Sequence, residues 1–311
     1  MKAKELLKNF QRGLARNGLK ANCYLMDRLP YVIFYVIAHI FMAIAYIFIV
    51  RHKRIAKESL DIAFGGTKTE KEKRFIIKKC FYEFGYGMFE VLYCLSNPGR
   101  IDEKITIEGE EKLISALDKG KGVIAVTAHF GNFPLMMLYF AHKKYPVSCI
   151  IRPTRDEELT RLLHEKREKA GLKTIYAAPK TECVAATIKA LRNQEVVFIP
   201  IDQNFGAQGG VYVEFFGQKA GTATGPIVFA RRTDAVILPM FIVGEGKDRH
   251  RIIIEDPVLI EEKEDEKATL TYNMAFITKT AERYIRKYPY EWAWMHRRWK
   301  SQPLKSQREE D

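Results

Sequence analysis

Short apolar runs alternate with helix-like segments from Ile105 onward, and this alternation restricts the possible folds more than any other feature of the sequence. Strands that are separated by helices pair in parallel, because a helical crossover returns the chain to the end of the sheet where it started. The pattern predicts strands at residues 123–127, 146–151, 173–177, 196–201, 235–243 and 251–255. It predicts helices at residues 110–119, 135–144, 157–170, 181–193, 226–233 and 269–287. We therefore expect an α/β fold over residues 105–311, with a largely parallel sheet flanked by helices.

An uncharged stretch of 22 residues, at positions 29–50, dominates the N-terminal part of the chain. About 20 apolar residues are enough for a helix to span a bilayer, so residues 1–50 are predicted to form a basic N-terminus and a membrane-inserting helix. A helix lying in the membrane interface is one alternative, because tyrosine rings favour the headgroup level. A helix buried in the protein core is another. Basic residues flank the stretch on both sides, so charge does not orient it.

The next segment, residues 51–104, is predicted to form a pair of helices. The run 51–64 is amphipathic and is followed by Gly65 and Gly66, which end helices readily. Thr67 and Glu70 match a capping box, in which a threonine opens a helix and a glutamate three residues later bonds back to it. We expect the second helix to extend to about Tyr93 and the pair to be structural.

The formal net charge of +13 favours an anionic partner, which can be a membrane surface, an acidic protein or a nucleic acid. The sequence contains no zinc-finger spacing, aromatic RNA-binding segment or isolated basic helix, so nucleic acid is not a predicted partner. The five cysteines are scattered and include no Cys-x-x-Cys pair, which argues against a disulfide framework and favours a reducing compartment. No metal-ligand cluster is visible, and no metal is predicted.

A histidine stands just past the end of a predicted buried strand. The run 123–127 ends shortly before His129, and Gly131 and Asn132 then lead into a predicted helix. In open α/β sheets, chemistry gathers outside the carboxyl ends of the strands. Imidazole accepts a proton near neutral pH, and a helix start offers backbone N–H groups to developing negative charge. His129 is therefore a candidate general base, and a histidine that only satisfies a turn is the alternative.

An aspartate occupies the same kind of position on another strand. The predicted strand 196–201 ends directly before Asp202, so its side chain can meet that of His129. A carboxylate that pairs with imidazole supports the acid–base chemistry of the ring. The alternative is an aspartate that caps a turn.

Several arginines are candidate anion-binding residues, because guanidinium pairs with phosphate or carboxylate groups through two hydrogen bonds. Arg152 ends a predicted strand, and Arg167 lies near a predicted helix end. Arg297 and Arg298 lie in a C-terminal segment that also carries three tryptophans. Taken alone, Arg152 and Arg167 are each better explained as solvated surface charges. The tryptophan segment is either an aromatic plug at the core edge or an interfacial anchor with phosphate-binding arginines.

Four ordered landmarks resemble those of one enzyme family. They are His129-Phe-Gly-Asn132, the segment after Asp202, Phe215-Phe-Gly217 with the later Gly225-Pro226, and Tyr288-Pro-Tyr-Glu-Trp-Ala-Trp-Met-His-Arg-Arg-Trp-Lys300. Together with the hydrophobic N-terminal helix, they resemble the landmarks of the bacterial lipid A late acyltransferases. These are the lauroyl and myristoyl transferases of the lysophospholipid-acyltransferase superfamily. The resemblance covers nearly the whole chain and implies a glycerolipid-acyltransferase-like fold.

The resemblance implies transfer of a fatty acyl chain from acyl carrier protein, or from coenzyme A, to a hydroxyl of a membrane glycolipid, first of all a lipid A precursor. The acyl thioester is then a co-substrate, no cofactor is implied, and the site is expected on the cytoplasmic face of a bacterial inner membrane. His129 would be the general base, with Gly131 and Asn132 shaping the turn and the oxyanion environment. Arg152 and, preferably, Arg167 would engage anionic substrate groups.

One departure from the family concerns the partner of the histidine. The family carries His, four residues, and then Glu or Asp, whereas this chain carries Pro134 at the last position. We expect Asp202 to supply the missing carboxylate, with Glu214 as the second candidate. Three alternatives to this function remain open. The acceptor can be another glycolipid, an aminolipid or a lysophospholipid. The chain can be a lipid-binding homologue that has lost the reaction, or a hydrolase that uses His129 on water. A serine hydrolase is not favoured, because the chain has no Gly-x-Ser-x-Gly elbow.

Overall fold

The computed structural model describes residues 30–154, 156–206, 209–246 and 248–303, together with Gly13, Asn17 and Gly18. The lysines and arginines predicted to precede the membrane helix lie outside the described residues, as does Cys23. The other four cysteines are free thiols.

Three helices form the N-terminal part of the described chain: α1 (Tyr31–Phe48), α2 (Val50–Phe64) and α3 (Glu70–Ser96). The first packs lengthwise and antiparallel against the third. Tyr31, at the start of α1, contacts Tyr93 near the end of α3, and Tyr46 contacts Phe81 further back along α3. Residues 31–48 of the predicted stretch therefore form one helix, which lies along α3.

The face of α1 that points away from α3 is apolar and exposed. Val32, Ile40 and Phe48 keep 70%, 57% and 77% of their accessible surface, which excludes the alternative of a buried core helix. By length and composition, α1 is able to cross a bilayer. A continuous apolar face of this kind marks contact with a membrane or a partner.

The capping box opens α3 two residues later than the sequence pattern predicts. Thr69, and not Thr67, is the N-cap, and it exchanges hydrogen bonds with Glu72. The hydroxyl of Thr67 instead donates to the carbonyl of Phe64 at 2.5 Å. Both threonines satisfy the Thr-x-x-Glu spacing. Thr67 does not cap α3 because it still belongs to the turn that follows α2.

The strands of the described chain are β1 (Ile105–Glu108), β2 (Val123–Thr127), β3 (Val147–Ile151), β4 (Leu172–Tyr176), β5 (Val196–Pro200), β6 (Gly210–Phe215), β7 (Gln218–Ala223), β8 (Val236–Gly246) and β9 (Arg249–Ile254). Seven of them form one sheet in the order β1-β9-β8-β2-β5-β3-β4, and β6 and β7 form a separate antiparallel hairpin. In the sheet, β8, β2, β5, β3 and β4 run parallel, while β9 runs antiparallel to β8 and carries β1 beside it. The predicted, largely parallel sheet is confirmed. The sequence pattern missed β1, β6 and β7.

Helices cover both faces of the sheet: α4 (Glu110–Asp118), α5 (Phe133–His142), α6 (Glu157–Lys169), α7 (Lys180–Arg192), α8 (Gly225–Thr233) and α9 (Glu266–Lys287). Strand β2 is buried along its whole length, as expected for a parallel strand with helices on both faces. Its side chains alternate between two cores. Ile124 and Val126 belong to the core that includes α8 and α9, whereas Val123 and Ala125 belong to the core that includes α5. The carboxyl end of β2 is therefore held at the centre of the molecule.

Residues 288–303, which we call the C-terminal strap, close over this end of the sheet. Phe130 and Trp292 form an isolated antiparallel bridge. Trp292 and Trp294 are fully buried, and Trp299 stacks on Phe215 of β6 at a centroid distance of 5.6 Å. The tryptophans therefore form an aromatic plug, and the alternative of an interfacial anchor is excluded for them.

Candidate active site

The turn that carries His129 is fixed by backbone contacts. The N–H of Gly131 donates to the carbonyl of Glu291 at 2.7 Å, and the N–H of Ala293 donates to the carbonyl of His129 at 3.0 Å. Gly131 has a φ of 55°, and a Cβ at this position would lie 2.1 Å from the carbonyl oxygen of Ile242. Glycine alone tolerates both the left-handed backbone and the close approach. The turn is thus pressed between β8 and the C-terminal strap.

Asn132 caps helix α5 and joins it to α3. Its Oδ1 accepts from the N–H of Leu135 at 3.3 Å, and its Nδ2 donates to Glu90 Oε2 at 2.9 Å and to a backbone carbonyl of α3. The residue is buried. Its amide and the N–H of Gly131 are both committed to protein acceptors, so the geometry supports a role in shaping the turn. The predicted contribution of these two residues to an oxyanion environment stays a prediction.

Pro134 lies in the first turn of α5. The N–H groups of a first helical turn have no acceptor within the helix, so a proline there removes no hydrogen bond. The departure from the family at this position thus suits the start of the helix. The carboxylate that pairs with His129 must therefore come from another part of the chain.

The side chains of His129 and Asp202 meet just beyond the carboxyl ends of two inner strands of the sheet. Strands β2 and β5 are parallel neighbours, with Thr127 paired to Pro200, so the loops that follow them leave the sheet side by side. His129 Nδ1 lies 2.9 Å from Asp202 Oδ1. The Asp202 side chain is 1% exposed and that of His129 is 25% exposed. The pair therefore joins a buried carboxylate to an imidazole that solvent reaches.

Charge pairing controls the protonation of both groups. Burial lowers the pKa of His129, but the negative charge of Asp202 and its hydrogen bond outweigh burial, and the net effect raises the pKa above the ordinary imidazole value. Burial raises the pKa of Asp202, yet the charge and hydrogen bond of His129, with smaller contributions from His296 and Trp292, hold it well below its usual range. Asp202 is therefore ionised at neutral pH and stabilises the protonated ring.

Two residues of the C-terminal strap fix Asp202 in place. Trp292 Nε1 donates to Asp202 Oδ2 at 2.7 Å, so each carboxylate oxygen has a partner. His296 Nε2 lies 3.2 Å from the backbone oxygen of Asp202. Burial lowers the pKa of His296; Asp202 opposes this, while the charges of His129 and Arg298 add to it. At neutral pH, His296 is thus a neutral imidazole that supports the loop.

Arg298 is fully buried and binds the protein itself. Its Nη1 donates to the carbonyl of Gly221 at 2.5 Å and to that of Gln203 at 3.2 Å, and its Nη2 donates to Thr222 Oγ1 at 2.6 Å. Burial lowers the pKa of Arg298 to about 10, against the opposing charge of Asp202. These contacts are all with the protein, and the predicted role of Arg298 in substrate binding stays a prediction. Its guanidinium ties β7 and the Asp202 loop to the strap.

The described contacts of the other predicted arginines do not include His129. Arg152 is exposed in the loop after β3, and Arg297 is exposed in the strap. Arg167 is half-buried in α6, where its Nε donates to Thr174 Oγ1 at 3.0 Å. Their roles in substrate binding stay predictions.

Glu214, the second candidate carboxylate, lies on β6 and is exposed. It is paired across the hairpin with Lys219. The described side chain that accepts from His129 Nδ1 is that of Asp202. The structure therefore brings the preferred pair together and leaves Glu214 on the surface.

A second buried carboxylate, which sequence reasoning missed, supports the turn from behind. Glu90 of α3 is fully buried. Its Oε1 lies 2.8 Å from Lys104 Nζ, and its Oε2 lies 2.8 Å from His250 Nε2 and accepts from Asn132. Burial raises the pKa of Glu90, but His250 and Lys104 outweigh it and lower the pKa. A sequence signal did exist, because Glu90 is the single charged residue between Glu83 and Arg100.

Most of the chain matches known acyltransferases. The family model for bacterial lipid A biosynthesis acyltransferases matches residues 20–301. The lipid A biosynthesis lauroyltransferase of Escherichia coli K12 is 25% identical over 284 residues, 90% of this chain and 89% of the relative. The palmitoleoyltransferase of the same strain is 23% identical over 283 residues, again 90% and 89%.

A further relative and one solved structure are also similar to this chain. A phosphatidylinositol mannoside acyltransferase of Mycolicibacterium smegmatis is 26% identical over 152 residues, 48% of this chain and 49% of the relative. Among solved structures, the 1-acyl-sn-glycerophosphate acyltransferase of Thermotoga maritima aligns with a TM-score of 0.37 at 14% identity, covering 74% of this chain and 96% of that one. Since the family model spans nearly the full length, this chain belongs to the bacterial lipid A biosynthesis acyltransferases.

Proposed function

We propose that this acyltransferase moves a fatty acyl chain from a thioester, carried by acyl carrier protein or coenzyme A, to a hydroxyl of a membrane glycolipid, with a lipid A precursor as the first candidate. The observation that carries the proposal is the 2.9 Å contact between His129 and the buried Asp202. An imidazole held by a carboxylate and reached by solvent suits general-base chemistry on a hydroxyl. The lauroyl and palmitoleoyl transferases among the relatives support a fatty acyl group.

In the proposed reaction, His129 Nε2 takes the proton of the acceptor hydroxyl as its oxygen attacks the thioester carbonyl carbon. A C–O bond forms and the carbonyl oxygen becomes negative. When the carbonyl re-forms, the C–S bond breaks and the leaving thiolate takes the proton from His129. Asp202 stabilises the imidazolium between these two steps, because its charge favours the protonated ring.

Pro134 leaves this mechanism intact. The imidazole needs one carboxylate at Nδ1, and Asp202 occupies that position with both of its oxygens satisfied. A homologue that had lost the reaction would have no need of an ionised aspartate buried beside a partly exposed histidine, because burying a charge costs free energy. We therefore favour an active enzyme over a lipid-binding relative.

We further propose that the enzyme works at a membrane, on the cytoplasmic face of a bacterial inner membrane. The support is the exposed apolar face of α1 and the net charge of +13, which suits anionic lipid and an acidic carrier protein. A different glycolipid acceptor is the second candidate. It is favoured by the similarity to a mannoside acyltransferase, which extends over about half of each chain.

The test is mass spectrometry of membrane lipids from cells that lack the gene, complemented with the wild-type chain or with His129→Ala. A lipid that gains one acyl chain with the wild type alone supports the proposal and identifies the acceptor. Unchanged lipids with a folded, membrane-bound protein would refute acyl transfer and favour lipid binding. Released free fatty acid without an acylated lipid would favour the hydrolase.

A further inference from the structure

Gln203 is the described side chain that meets the outer nitrogen of His129. Its Nε2 lies 3.0 Å from His129 Nε2. With the Nδ1 hydrogen donated to Asp202, neutral imidazole has its single lone pair at Nε2, and the carboxamide N–H of Gln203 donates to it. This lone pair is the one that a general base must offer to its substrate.

We propose that Gln203 occupies the place of the acceptor hydroxyl in the substrate-free enzyme, as a positioning residue that the hydroxyl displaces. This inference rests on the proposed function, because it assumes that His129 is the base. One in-plane lone pair accepts one good hydrogen bond, so the carboxamide and the hydroxyl exclude each other. The amide keeps the ring oriented, with the tautomer that leaves Nε2 free to accept.

The backbone on both sides of Gln203 is held, whereas its side chain is exposed. Arg298 donates to the Gln203 carbonyl at 3.2 Å, and the preceding Asp202 is buried. The following Asn204 donates to Ser301 Oγ at 3.0 Å and accepts from the N–H of Ser301 at 2.9 Å. Rotation of the Gln203 side chain is therefore enough to vacate the site, without movement of the loop.

A carboxamide suits this position because it can partner both protonation states of the ring. Its NH₂ donates to neutral Nε2, and after rotation of the amide its oxygen accepts from protonated Nε2–H. A carboxylate at the same position can only accept, so it would stabilise the imidazolium alone.

Within the described part of the chain, the charged and titratable groups around the ring come from two elements. Asp202 belongs to the loop after β5, and His296 belongs to the strap, with its ring centroid 6.1 Å from that of His129. From α5, the uncharged ring of Phe133 lies 5.0 Å away. A negative charge introduced at position 203 would thus join Asp202 in raising the pKa of His129.

The first test titrates the histidines of the full-length protein in detergent micelles by NMR, in the wild type, Gln203→Glu, Gln203→Ala and Gln218→Glu. His129→Ala identifies the His129 signal among the seven histidines. Gln218→Glu is the matched control, because it makes the same chemical change at an exposed position of β7. No substrate is present, so the result does not depend on acyl transfer.

Gln203→Glu is expected to raise the pKa of His129 by about one unit or more. Gln203→Ala and Gln218→Glu are expected to shift it by less than about half a unit, since neither adds charge next to the ring. A Gln203→Glu titration that matches the control would overturn the contact.

The second test measures acyl transfer with the acceptor lipid that mass spectrometry identifies. Gln203→Ala removes the competing donor, so the acceptor KM is expected to fall by about threefold to tenfold, the range of one hydrogen bond. A raised KM would overturn the proposal, because it would mean that Gln203 binds the acceptor. In Gln203→Glu, the raised pKa keeps the base protonated to higher pH, so the acidic limb of kcat/KM should move to higher pH by the same amount as the titration.

Discussion

Two buried carboxylates hold the two ends of the same turn, and they use their charge differently. Asp202 binds His129 at the start of the turn, and Glu90 binds Asn132 at its end. The second ligand of Asp202 is the neutral indole of Trp292. Glu90 instead faces the ammonium group of Lys104 as well as an imidazole.

The difference shows what makes a buried ion pair useful for chemistry. Glu90 faces both the ammonium group of Lys104 and the ring of His250, and these contacts join α3 to the start of β1 and to β9. The charge of Asp202 acts mainly on the imidazole of His129, which solvent reaches. A neutral hydrogen-bond donor on the second oxygen fixes the carboxylate without competing for its charge.

The largest expected effect comes from removing the imidazole. His129→Ala should lower the rate of acyl transfer by about 10²–10⁴-fold, the usual contribution of a positioned base. The fold should persist, because the contacts of the turn are made by its backbone and by Gly131 and Asn132. Initial rates, together with a circular-dichroism melt, measure both. Transfer at the wild-type rate in this variant would exclude His129 as the base.

Removing the charge of Asp202 while keeping its shape should have the next largest effect. Asp202→Asn should lower kcat by about 10²-fold or more, because the imidazolium loses its counter-charge. The base must be unprotonated, so the acidic limb of kcat/KM should lie above pH 6.5 in the wild type, where Asp202 raises the pKa of His129. It should move to lower pH in the variant. Glu214→Gln is the control, and an equal loss there would show that the wrong carboxylate has been paired.

The corresponding change at Glu90 should cost stability before it costs chemistry. Glu90→Gln leaves Lys104 without its buried partner, and breaking such a pair costs about 3–5 kcal/mol of unfolding free energy. Glu103→Gln breaks an exposed pair with Arg100 and should cost less than about 1 kcal/mol. Denaturant unfolding compares the two. A Glu90 variant as stable as the control would mean that this carboxylate contributes no more than a surface pair.

The smallest effect is expected at Pro134. Pro134→Glu restores the family's carboxylate, yet Nδ1 of His129 is already bonded to Asp202, so kcat should change by less than about threefold. The informative variant combines Pro134→Glu with Asp202→Asn. Recovery of most of the lost rate in the double variant would mean that the two positions supply one interchangeable carboxylate; the geometry predicts little recovery.

The sequence was sufficient to predict the positions of residues that directly follow the end of a parallel strand. His129 and Asp202 were predicted together because parallel strands deliver their carboxyl ends to one edge. The buried position of Arg298 was not predictable, because the sequence does not say whether a guanidinium beside tryptophans faces water or backbone carbonyls. The contact between Trp292 and Asp202 joins residues 90 positions apart, and no local pattern encodes it. Gln203 follows the predicted aspartate directly, yet its role depends on which way a flexible side chain points.

Because the C-terminal strap is made late in synthesis, it also determines when the site can be completed. A ribosome makes α1 before the sheet and the other described helices, so the exposed apolar helix exists while most of the enzyme is still unmade. His129 and Asp202 follow, but the indole that holds the carboxylate arrives only with residue 292, and the guanidinium that fastens the Asp202 loop arrives with residue 298. A chain interrupted before these residues keeps its apolar helix and lacks a finished site. The exposed apolar helix is therefore made before the site of each molecule is complete.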